Sequence, residues 1–159
     1  MEAKNANLAR VKIDAGALPE RFDVNTAYLL IAASAAILGA LGAVHLLYTY
    51  HGRKLDPRDP ALREAMQRSH LVITRQTTVW RAVKGFNASH SLGILVYALV
   101  YGYLALWRAD VLGGSPFLLG LGMAVLLAYL VLAQRYFFSV PLRGVALACV
   151  LYALGWAMA

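Results

Sequence analysis

The chain has 159 residues, 60% of them hydrophobic and only 14% charged, with mean hydropathy +0.59 and formal net charge +7. A soluble domain carries roughly a quarter charged residues, so this deficit excludes an ordinary water-exposed globule and places much of the surface against lipid. The single cysteine, Cys149, excludes an intrachain disulfide or a thiolate metal cluster. Without a polar, electropositive setting it reads as a small apolar side chain in a helix.

Residues 1–26 form a polar N-terminal segment bearing Glu2, Lys4, Arg10, Lys12, Asp14, Glu20, Arg21 and Asp23. The apolar run that follows is too long for a signal h-region, so it is expected to be a retained span. It covers about 27–48, with no charge until Arg53. About 20 helical residues cross a hydrocarbon core of roughly 30 Å. Ala32, Ala36, Gly39, Ala40 and Ala43 recur at three- and four-residue spacing, a pattern that lets a neighbouring helix approach closely in lipid.

Between this span and the next, Asp59 followed by Pro60 is a helix start: an N-cap residue, then proline at the first helical position. Leu62, Met66, Ile73, Trp80 and Val83 then recur near helical period, with Arg63, Arg68, Arg75 and Arg81 elsewhere on the wheel. The pattern predicts one amphipathic helix over 60–84, on the membrane or extending the second span, with a bend at Gly85. Further spans are expected at about 86–107, 116–133 and 140–158, the third opened by Gly113–Gly114 and Pro116. Tyr48, Tyr50, Trp80, Phe86, Trp107, Tyr136, Phe137 and Phe138 gather at the boundaries as an interfacial belt. The fold class expected is all-α integral membrane: one domain, a four-helix transmembrane bundle with an amphipathic cytoplasmic helix before the second span.

Charge sets the expected orientation. Four spans put the termini and the second connection on one side, with five Lys/Arg and five Asp/Glu. The first and third connections, on the other side, carry ten Lys/Arg and three Asp/Glu, hence the whole +7. The positive-inside rule then makes 49–85 and 134–139 cytoplasmic in a cell (inner) membrane, both termini outside. Such charge also holds anionic lipid headgroups. It is not accompanied by a nucleic-acid-binding motif, so no nucleic-acid partner is expected.

Candidate chemistry gathers at the cytoplasmic boundary. His45 and His90 each lie about four residues into a span from that side, so neighbouring helices would set them at similar depth. Intramembrane polar groups are costly and usually face the bundle interior. The run from Trp80 through Arg81, Lys84, Asn87 and Ser89 to His90, with Arg135 and Arg143 flanking the last cytoplasmic turn, could form an electropositive pocket with an apolar flank. It would suit an amphipathic anion, whereas arginine near a span end also snorkels to headgroups. Structural hydrogen bonding between helices and paired histidine ligation of haem compete with that reading. Two histidines without zinc-like spacing are weak for zinc. No carboxylate is placed within a span to orient either imidazole, so no catalytic residue is assigned.

The stretches SHLVITRQTTVWRAVKGFNASHSLG and QRYFFSVPLRG resemble small four-helix bacterial inner-membrane proteins of unassigned function. The chain is also similar, more weakly, to the MAPEG family in length, basicity and four spans, a likeness that implies trimers. Arg81 and Asn87 echo that family's arginine and asparagine at wider spacing, and His90 stands where its glutamate would be. The function expected is a non-catalytic accessory or structural subunit of a membrane complex, partnered by the bilayer, by copies of itself or by other membrane subunits. A MAPEG-like enzyme or binder of a lipophilic or anionic small molecule is the alternative, and a haem-binding electron carrier the third.

Overall fold

The computed structural model describes residues 19–159, with side chains from Thr26 onward. The polar segment expected at 1–26 therefore lies, up to residue 18, outside the described residues. In chain order the elements are α1 (Pro19–Tyr50), α2 (Pro60–Arg68), β1 (His70–Leu71), β2 (Thr74–Thr78), α3 (Val79–Trp107), α4 (Ala109–Gly113), α5 (Pro116–Tyr136) and α6 (Ser139–Met158). Four of them, α1, α3, α5 and α6, are long and apolar enough to cross a membrane.

The segment between α1 and α3 departs from expectation. Instead of one helix over 60–84, α2 stops at Arg68, a β-hairpin follows, and α3 begins at Val79. The start is as the residues dictate, with Pro60 at the first helical position and Asp59 Oδ1 accepting from the Ala61 N–H at 2.9 Å. The stop follows from the next ten residues, 69–78, of which Val72, Ile73, Thr74, Thr77 and Thr78 are β-branched. Such side chains lose χ1 freedom in a helix and favour a pleated strand. Local hydrogen bonds complete the switch: Gln76 N–H donates to Thr74 Oγ1 at 3.1 Å, and His70 Nδ1 lies 3.0 Å from the Thr77 carbonyl. Val79 N–H returns to the Ser69 carbonyl at 2.9 Å, closing the hairpin onto the start of α3. Thr78 Oγ1 caps that start by accepting from Arg81 N–H. Gly85, where a bend was expected, lies within α3, which runs through it as continuous helix.

In the bundle, α1 packs against α3 and α6, and α5 against α6. The core is apolar, with Ile31, Leu38, Leu112 and Leu126 fully buried. The small-residue stripe expected on α1 is met in part: Gly39 approaches α3 so closely that a Cβ would lie 2.9 Å from the Ala98 Cβ, and Ala32 packs against the core. Ala36, Ala40 and Ala43 are exposed, whereas Ala27, Ile31, Ser34, Ala35, Leu38 and Gly42 face the interior. At Gly42 a Cβ would come within 3.0 Å of the Ile94 Cβ, so the α1–α3 approach needs glycine there. Ser34 Oγ donates to the Ala148 carbonyl of α6 at 2.7 Å, satisfying a buried hydroxyl across the α1–α6 interface.

Away from the basic end, three tyrosines tie α5 into the bundle. Tyr97 and Tyr101 of α3 donate to the Gly122 and Leu118 carbonyls at 3.1 and 2.8 Å, and Tyr152 of α6 donates to Leu119 at 3.0 Å. Where lipid supplies no hydrophobic drive between helices, such bonds and close packing hold them together.

Candidate functional site

The bundle opens at its basic end, where α1 runs toward α2 and α5 turns into α6. A cavity of about 480 Å³ lies there. Helical spacing puts Leu38, Leu41, His45 and Tyr48 of α1 along one face, and Asn87, His90 and Ile94 of α3 along another. Leu55, Tyr129 of α5, and Pro141 and Val145 of α6 complete the lining, and the exposed Val44, Phe137, Phe138 and Val140 mark its open mouth.

His90 sits at the centre of an aromatic cluster. Its ring centroid is 5.4 Å from His45, 5.4 Å from Tyr129 and 5.9 Å from Phe137, each pair edge-to-face with interplanar angles of 62–77°. Such geometry suits quadrupolar rings. Hydrogen bonding is unsaturated. His45 Nε2 is buried without a partner at hydrogen-bond distance, although the Asn87 side chain interacts with the same imidazole. Neither the His90 ring nor the Tyr129 hydroxyl has a hydrogen-bond partner among the described residues. A buried donor or acceptor left unpaired costs about 1–3 kcal/mol, a cost that falls here on His45 Nε2, whereas His90 and Tyr129 are half-buried.

The expected electropositive cluster divides. His45, Asn87 and His90 line the cavity, whereas Trp80, Arg81, Lys84, Ser89, Arg135 and Arg143 do not. Arg81, Arg135 and Arg143 are exposed, and Ser89 turns its hydroxyl back to the Phe86 carbonyl at 3.0 Å. Lys84 Nζ lies over the Trp80 ring at 5.3 Å, with the Arg63 guanidinium 5.2 Å from the same ring. Arg63 also stands 3.6 Å from Asp56, so these cations pin α2 and its loop to the start of α3. Among the described residues, the lining therefore carries no formally charged side chain, and no carboxylate or cysteine. Among the described residues, no three His, Cys, Asp or Glu side chains converge as a metal site would need.

Tyr129 is the site residue that sequence reasoning missed. It lies in an apolar span, 39 residues beyond His90, and nothing local marks the face it turns inward. Tyr48, Phe137 and Phe138 were legible as boundary aromatics but not as cavity lining. Comparison with protein-family models, curated proteins and solved structures gives no match.

Proposed function

We propose that this chain is a multi-pass protein of a bacterial inner membrane, its basic end in the cytoplasm, that binds a lipophilic small molecule in the His45–His90 cavity. One observation carries the reading: unpaired hydrogen-bonding groups stand in an apolar cavity large enough for a ligand. Binding sites are typically concavities of about 300–1,000 Å³, mainly apolar, with a few polar groups that orient the guest. Here Leu38, Leu41, Ile94 and Val145 supply apolar wall, and His90, Asn87 and Tyr129 supply orientation.

The role is binding rather than catalysis. The cavity offers imidazoles but no carboxylate to orient them and no nucleophile beside them, and a general base needs both placement and a reaction partner. A binding protein of this kind is compatible with an accessory place in a larger membrane complex. The basic connections hold anionic headgroups and fix orientation.

The test is organic extraction of the purified protein followed by mass spectrometry. The wild type should release a lipophile near one per chain, and the His90→Leu, Asn87→Leu double variant should release far less. Equal recovery from both proteins would remove the cavity from the account.

A further inference from the structure

The same cavity restricts what its guest is. Among the described residues no cation or carboxylate lines it, the nearby arginines Arg81, Arg135 and Arg143 are exposed, and Lys84 is engaged over Trp80. An anionic head would have to shed water here without a countercharge, which apolar surroundings penalise heavily. The head is therefore uncharged.

What the cavity offers instead is hydrogen-bond donation from different helices. The Tyr129 hydroxyl on α5, the His90 ring on α3 and the Asn87 amide one turn earlier all border it. A phenol O–H, a neutral imidazole N–H and an amide NH₂ can each donate, although each group also carries an acceptor, so a head with acceptors on more than one edge is matched from two helices. Carbonyl oxygens are such acceptors. Edge-to-face rings of His45, His90, Tyr129 and Phe137 shape the surrounding wall, which favours a flat conjugated ring over a branched or sp³ head. Half-exposed Val44 at the mouth leaves a way for a tail to reach the surrounding lipid.

From this geometry we infer that the ligand is a quinone-class lipid: an uncharged planar ring with carbonyl oxygens, carrying an apolar tail. The inference rests on the binding function proposed above. Donors from α3 and α5 hold the carbonyls, and the apolar wall of α1 and α6 takes the first part of the tail.

Competition in nanodiscs separates the two claims. Decylubiquinone, monoolein and oleate are added to discs holding the full chain, and retention is compared with empty discs. The inference expects saturable quinone retention near one per chain, displaced by neither competitor. It expects about fivefold weaker binding in Tyr129→Phe and at least that loss in His90→Leu, as one lost hydrogen bond implies. Preferential monoolein retention would overturn the planar ring and leave the binding function standing. Preferential oleate retention would overturn the uncharged head. If no probe exceeds empty discs, both the inference and the function fail. The wild-type order of preference decides the question even if a variant does not fold.

Discussion

The imidazoles of His45 on α1 and His90 on α3 meet edge-to-face, ring centroids 5.4 Å apart and planes at 77°. They are 45 residues apart in the chain and come together because α1 and α3 pack as close neighbours, an approach that Gly42 against Ile94 permits. This pair marks where packing yields to a cavity.

Closing the α1–α3 approach should therefore damage the site from a distance. Gly42→Ala places a methyl against Ile94, and overpacking of this kind costs about 1–3 kcal/mol. Thermal unfolding in detergent should fall accordingly, and ligand retention should fall with it, although Gly42 does not line the cavity.

The tyrosine ties on α5 give a second, independent expectation. Tyr152→Phe removes a donor to the Leu119 carbonyl without changing the packing and should cost about 0.6–1.5 kcal/mol. Gly122→Ala should cost more, about 1–3 kcal/mol, because its methyl would collide with the Tyr152 hydroxyl and the Tyr101 ring. Reversible unfolding of both variants in the same detergent ranks them; a Gly122→Ala protein as stable as the wild type would contradict this packing.

The four apolar segments were legible because hydropathy and length alone decide them, and the Asp59–Pro60 start was legible because capping is local. The hairpin was not. Leu62, Met66, Ile73, Trp80 and Val83 fall near helical period, and that periodicity masks the β-branched run from Val72 to Thr78. In the fold the run prevails, since α2 buries no residue that could hold a longer helix together. At the site, the similar depth of His45 and His90 followed from counting residues into each span. The exclusion of Arg81, Lys84, Arg135 and Arg143 did not, because it depends on how each helix is rotated. Tyr129 was hidden for the same reason.

Capping at α2 should be measurable by hydrogen exchange. Asp59→Ala removes the acceptor for Ala61 N–H, worth about 1 kcal/mol in a helix with no buried face to compensate. Amides across 61–68 should exchange about fivefold faster, with α3 unaffected. Unchanged protection would mean that Arg63, through Asp56 and Trp80, holds α2 without its cap.

A pH effect is expected at the opposite end. The hydrogen bond from Arg108 holds the Asp110 carboxyl below its usual range, the pair lying at 3.3 Å on the surface. A depressed folded pKa contributes stability above the unfolded value of about 3.9 and loses it as pH falls through the folded one. The contribution should thus be intact at neutral pH and disappear only in strong acid. Carboxyl ¹³C titration should show Asp110 moving up toward its ordinary range in Arg108→Ala, and no movement would contradict the pairing.

Native mass spectrometry of the protein released from nanodiscs tests the central claim most directly. Val44 lines the cavity mouth and is half-exposed, so Val44→Trp should fill the opening with little strain on the bundle. The account predicts one discrete small-molecule adduct per wild-type chain, absent from Val44→Trp at equal folded yield. A wild-type spectrum showing only the bare chain, or an adduct that survives Val44→Trp undiminished, would contradict it.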